Sequence, residues 1–66
     1  MDIHQYEYLL AIAEYKNISK AARSLGISQP SLSSFLKKTE FVIGHTLFFR
    51  KGQTLTPSPA GELYLD

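Results

Sequence analysis

Cysteine and tryptophan are both absent from these 66 residues. Without cysteine there is no disulfide staple and no thiolate for a structural zinc. A chain this short buries only about 60% of the surface that its unfolded form exposes. The apolar residues, 44% of the total, must therefore build the core unaided, and helix packed on helix is the simplest way to do so. Long hydrophobic runs are also missing. The longest, Tyr8 to Ala13, is far too short to span a bilayer and lacks the basic start and cleavage site of a signal peptide. A cytoplasmic protein with no membrane association is expected. His4 and His45 stand apart with no metal-ligand company, and there is no Ser-His-Asp grouping, P-loop or dinucleotide fingerprint. No catalytic residue, metal or cofactor is assigned, and an enzyme is not expected.

Acid is scarce where base is plentiful. All seven basic residues (Lys16, Lys20, Arg23, Lys37, Lys38, Arg50, Lys51) lie between positions 16 and 51, with Glu40 the one acid among them. Asp2, Glu7, Glu14, Glu62 and Asp66 sit towards the two ends. The net charge of +1 says little, but this segregation is the footprint of a phosphate-facing middle.

The stretch from Ile18 to Lys37, I-S-K-A-A-R-S-L-G-I-S-Q-P-S-L-S-S-F-L-K, carries most of the information. Lys20, Ala21, Ala22 and Leu25 keep helical spacing, with Ser19 as the expected N-cap. Gly26 stands where a helix would stop, since glycine takes the left-handed conformation without a Cβ clash. Ile27 would plug the angle between two helices. Ser28 caps again, Pro30 suits a first helical turn, and Leu32, Phe35, Leu36 and Thr39 continue a buried stripe. Helix, glycine-containing turn, capped helix: this is helix-turn-helix grammar, in which the second helix lies in the DNA major groove.

On either side the pattern is coarser. Residues 2–16 read as a first helix, with Asp2 as N-cap, Asn17 at its end, and an apolar stripe of Ile3, Tyr6, Leu9, Leu10 and Ala13. The second helix is expected over 19–25 and the third over 28–43, ending at Gly44. From Thr46, two short runs rich in aromatic, Leu and Thr residues flank Arg50-Lys51-Gly52-Gln53, a hairpin signal. A basic hairpin after a helix-turn-helix is a wing. Pro57-Ser58-Pro59 should break its second strand, and a last helix should start at Ala60 and continue past Asp66. The aromatics are expected mostly in the core rather than as stacking platforms for single strands.

The candidate site is the polar start of the third helix: Ser28, Gln29, Pro30, Ser31, Ser33 and Ser34. A helix N-terminus offers free N–H groups to a phosphate, and a Gln there can bond a base edge, adenine above all. Gln29 is the expected base reader. Lys20, Lys37, Lys38, Arg50 and Lys51 are expected at phosphates, because charges on flexible stems position a protein without reading sequence. Arg23 could instead form a structural bridge with Glu40 or Glu62.

The whole chain resembles the N-terminal DNA-binding domain of LysR-type bacterial transcriptional regulators. The likeness rests on M-D-I near the start, A-I-A-E, I-S-K-A-A-R-S-L-G-I-S-Q-P-S-L-S, T-E-F-V-I-G-H-T-L-F-F-R and S-P-A-G-E, in that order. It implies a mainly α fold, a winged helix-turn-helix of three core helices and a two-stranded β wing. That domain would fill residues 1–58, with the helix-turn-helix motif at 18–37 and the wing at 46–57. Residues 59–66 would begin a linker helix through which the full-length protein self-associates. A small-molecule co-inducer would act only through an effector domain that this chain lacks. By the same resemblance Ser19 and Lys20 contact the DNA backbone, Gln29, Pro30 and Ser31 face the groove, Ser33, Ser34 and Lys37 lie along it, and Arg50 with its neighbours supports the wing at the minor groove. Some positions depart from the family pattern. Ser34 stands where Arg is frequent, Gln53 and Thr54 where wing-tip bases are, and Thr39 and Pro57 where aliphatic residues are. These departures bear on affinity and base preference.

The expected function is sequence-specific double-stranded DNA binding by a transcription regulator. A winged helix used only for protein contacts would need an apolar, exposed third helix, which the run from Ser28 to Ser34 opposes. The DNA-binding domain of a recombinase or transposase would share the chemistry and differ only in the domain downstream of it.

Overall fold

The computed structural model describes residues 2–65, in the order α1 (Ile3–Tyr15), α2 (Ile18–Leu25), α3 (Gln29–Ile43), β1 (Phe48–Lys51), β2 (Thr54–Pro57) and α4 (Pro59–Leu65). The expectations placed on Met1 and Asp66 lie outside the described residues.

Asp2 caps α1 in a reciprocal pair with Gln5: the Gln5 N–H donates to Asp2 Oδ1 at 2.9 Å and the Asp2 N–H to Gln5 Oε1 at 3.2 Å. The helix ends at Lys16, held left-handed at φ 52°, and not at Asn17. Asn17 instead caps α2, its Oδ1 accepting from the Lys20 N–H at 2.9 Å, a role expected of Ser19. Asn is at least as good a cap as Ser, and starting one residue earlier draws Ile18, fully buried, into the helix. Ser19 is thereby released for other bonds.

Gly26 closes α2 at φ 71° as expected, and the Ile27 N–H reaches back to the Ala22 carbonyl at 3.0 Å. A Cβ at Gly26 would meet nothing within 4 Å, so the demand for glycine is conformational. Gly26→Val should therefore lower the melting temperature by about 5–15 °C, from a left-handed penalty of about 1–2 kcal/mol. An unchanged melt would contradict the turn. Ser28 caps α3 by accepting from the Ser31 N–H at 3.2 Å, Pro30 lies in the first turn, and Gly44 ends the helix at φ 82°.

The hairpin is antiparallel, with Phe48 opposite Pro57 and Lys51 opposite Thr54, turning at Gly52 with φ 62°. The first strand begins two residues later than Thr46 and takes in Arg50 and Lys51, expected in the turn, whereas the second begins at Thr54 as expected; Pro57 does not break β2 but forms its last pair. Proline is tolerated there because it sits on an edge strand at the end of the ladder. The hairpin is also tied to the helices. Asn17 bridges to Thr54, the Ile18 N–H donates to the Gln53 carbonyl and the Leu55 N–H to the Lys16 carbonyl, both at 3.0 Å. The fourth helix starts at Pro59, one residue before Ala60 and at the first residue of the expected 59–66 segment. Ser58 caps it, accepting from the Gly61 N–H at 3.0 Å and donating to the Thr46 carbonyl, so this buried hydroxyl is satisfied.

Leu9, Ile12, Ile18, Leu32, Leu47 and Leu55 are fully buried where the three helices meet the hairpin. Tyr8 and Phe35 meet edge-to-face at 5.0 Å, joining α1 to α3. The stripe expected on α1 is rotated: Leu9, Ala11 and Ile12 are buried, whereas Ile3, Tyr6 and Leu10 are exposed and Ala13 is half-buried. Thr39 is half-buried at the edge of its stripe. The expectation that most aromatics are core is corrected too. Tyr6, Tyr15, Phe41, Phe49 and Tyr64 are exposed, leaving Tyr8, Phe35 and Phe48 to pack. A core this small has room for few rings.

Candidate nucleic-acid interface

The pitch of α3 sorts its side chains. Leu32 and Leu36 point into the core, while Pro30, Ser31, Ser34, Lys37 and Lys38 are exposed at three- and four-residue spacing. Gln29 and Ser33, one turn apart, are half-buried on the flank that faces α2 and the wing. The Ser28 hydroxyl donates to Ser31 Oγ at 2.8 Å, so those two serines form a small polar cluster at the start of the helix.

Gln29 is not the freely exposed residue that its sequence position suggests. Its Oε1 lies 2.7 Å from Ser19 Oγ, which in turn lies 2.8 Å from Oε1 of Gln53 in the wing turn. Lower on the same flank, an Arg50 Nη1–H donates to Ser33 Oγ at 3.3 Å and its Nε–H to the Gly52 carbonyl at 3.1 Å. Ser19, Gln29, Ser33, Arg50 and Gln53 thus line one continuous polar seam between α2, α3 and the wing. Sequence reasoning assigned Arg50 to a phosphate and saw Gln53 only as a missing cation. The hint available was that Gln53 is a bonding residue next to the turn glycine.

The elements that form this seam also carry the cations. Lys20 on α2, Lys37 and Lys38 on α3, and Arg50 and Lys51 on β1 are all exposed. Lys38 stands to one side, over a shallow groove with Pro30, Ser31, Ser34 and Phe35. Glu40 does not oppose them. Its half-buried carboxylate turns away and accepts from the N–H groups of Leu47 at 2.6 Å and Phe48 at 3.2 Å. The bridge from Arg23 to Glu40 or Glu62 is accordingly not formed: the described residues show no ion pair at Arg23. The loop entering the hairpin needs a partner for its N–H groups, and Glu40 supplies it. A lone acid in a basic stretch was the signal for that role. The result is a set of hydroxyls and amides with exposed positive charge on the same elements, chemistry that suits phosphates and hydrogen-bonding base edges.

Residues 3–62 match the model of the bacterial regulatory helix-turn-helix protein, lysR family. Over all 66 residues the chain is 42% identical to YcgK, an uncharacterized HTH-type transcriptional regulator of Bacillus subtilis, and 38% identical to the hydrogen peroxide-inducible genes activator of Haemophilus influenzae. It spans about a fifth of the length of these curated relatives, 20% and 22%. Among solved structures, the CbnR DBD–DNA complex superimposes with a TM-score of 0.92 at 31% identity, covering 98% of this chain and 75% of that one. The BenM DBD/catB site 1 DNA complex gives 0.90 at 29% identity, covering 98% and 73%.

Proposed function

This chain belongs to the lysR family of bacterial regulatory helix-turn-helix proteins, and from that premise we propose that it reads double-stranded DNA with the first turns of α3 in the major groove and the wing beside the minor groove. The observation that carries the reading is the polar start of α3, flanked by exposed cations on α2, α3 and β1 while Glu40 is turned inward. Ser28, Gln29, Pro30, Ser31 and Ser34 face the groove in this reading. Ser19, Lys20, Ser33, Lys37, Lys38, Arg50 and Lys51 meet or support the backbone on either side. The likeness to the CbnR and BenM structures, both complexes with DNA, supports that reading.

Residues 1–58 form the reading head, and α4 begins the helix through which the whole protein self-associates. Leu63 and Tyr64 are exposed on α4, and Tyr6 and Leu10 on α1, which supports a helix partner for them. A co-inducer acts through a further domain, and the protein works in the cytoplasm; no helix among the described residues is long and apolar enough to cross a membrane. A protein-only role would want an apolar, exposed α3; the run from Ser28 to Ser34 opposes it, and the exposed apolar residues of that helix, Phe41 and Val42, lie at its other end.

The test is a selection from randomised duplexes followed by titration. Gln29→Ala should cost about 1–3 kcal/mol on the best selected duplex and far less on random DNA. Equal losses on both would demote Gln29 to a backbone contact.

A further inference from the structure

We propose that Gln53, at the wing turn, decides which end of the Gln29 amide faces the DNA, acting through the Ser19 hydroxyl; this rests on the major-groove placement of α3 proposed above. Gln53 is a positioning residue here, not a contact to the base.

The geometry is a relay. Ser19 Oγ lies 2.7 Å from the Gln29 side-chain oxygen position and 2.8 Å from that of Gln53. A hydroxyl carries one proton and donates only once. It therefore cannot serve two amide oxygens, and one of the amides must turn its NH2 towards Ser19. The contact to Gln29 is the shorter and the part-buried one, whereas that to Gln53 is exposed. Gln29 is half-buried and Gln53 exposed, so the Gln53 amide is the one free to turn: Ser19 donates to Gln29 Oε1 and accepts from the NH2 of Gln53. Each bond in such a chain polarises the next. The outer end is held in place as well, because the Gln53 carbonyl accepts from the Ile18 N–H at 3.0 Å.

The consequence falls on base choice. With Oε1 drawn to Ser19, Gln29 turns its Nε2–H towards the groove. A donor there favours base edges that present acceptors, such as guanine N7 and O6, adenine N7 or thymine O4. If the relay ran the other way, Gln29 would offer its oxygen and favour the amino groups of cytosine or adenine.

Gln53→Glu reverses the relay by design. A carboxylate only accepts, so the Ser19 O–H donates its hydrogen bond to it, and Gln29 must then donate from its NH2 to Ser19. The experiment is selection of bound duplexes from a randomised pool by the full chain and by Gln53→Glu, Gln53→Ala and Ser19→Ala, with thermal melts of each. At the base position that Gln29→Ala leaves unread, Gln53→Glu should exchange an acceptor-bearing base for a donor-bearing one. Gln53→Ala should weaken the original preference about tenfold, the scale of one base contact, while binding to random duplex changes little; Ser19→Ala should weaken that preference to the same extent, on top of the uniform loss expected from its place at the backbone. A uniform loss of affinity with an unchanged base profile in Gln53→Glu overturns the proposal. So does an unchanged profile in both alanine variants, which decide the matter should Gln53→Glu fail to fold. A parent chain that enriches no sequence at all would instead sink the major-groove reading, and this inference with it.

Discussion

Gly61→Ala should lower the melting temperature by about 15 °C or more, corresponding to about 3 kcal/mol of overpacking. A Cβ built on Gly61 would lie 2.0 Å from the Leu47 carbonyl oxygen and 3.0 Å from its carbon. That neighbour is backbone and has little room to yield. The same carbonyl accepts from the Ser58 N–H at 2.9 Å, and Ser58 in turn caps α4, so pushing Leu47 away also loosens the start of the helix. A domain of this size has only about 3–10 kcal/mol of stability in total. The change could therefore leave much of the protein unfolded at growth temperature. Alanine is normally a better helix former than glycine by about 1 kcal/mol, so a melt that rises would show that α4 does not pack closely on Leu47.

The second large effect concerns charge. A combined Lys20→Ala, Lys37→Ala, Arg50→Ala variant should bind every duplex more weakly, and the slope of log affinity against log salt should become shallower by about three, roughly one for each phosphate left without its cation. Arg50 needs its own control, because its guanidinium also joins Ser33 to the Gly52 carbonyl. Arg50→Lys keeps the charge and gives up that planar pair of bonds. If phosphate attraction is its main task, the lysine variant retains the salt slope. A slope unmoved by the triple change would mean that the binding face lies elsewhere.

Much of the architecture could be read along the chain because local rules agreed with one another. Gly26 and Gly44 stop helices where stops are needed, Ser28 and Pro30 open one, and Gly52 turns the hairpin. The misreadings share a cause: two elements far apart in sequence settle them. Asn17, expected at the end of α1, caps α2 instead, and its bridge to Thr54 bears on that choice. The stripe on α1 looked satisfactory with Ile3 and Leu10 included, yet the packing of α2 selects Leu9 and Ile12. The candidate site shows the same limit. Its residue types were plain from Ser28 to Ser34, but no spacing rule reveals that Ser19 lies between Gln29 and Gln53, 34 positions away. Glu40 and Gly61 did carry a signal, as an acid among bases and a glycine inside a helix. Each is explained by a contact with the Leu47–Phe48 backbone.

The ties between the wing and the junction at Lys16 and Asn17 have a thermodynamic consequence. A hairpin of two four-residue strands has little stability by itself in water, and a wing of that kind would have to be ordered by its ligand at the expense of affinity. Here the junction acts as a short third rung, with the Lys16 carbonyl bonded to Leu55 and the Gln53 carbonyl to Ile18. The wing is shaped in advance, and moving it means breaking the start of α2. Association with a duplex thus needs no folding of the wing, and its heat-capacity change should carry no contribution from a hairpin condensing out of disorder.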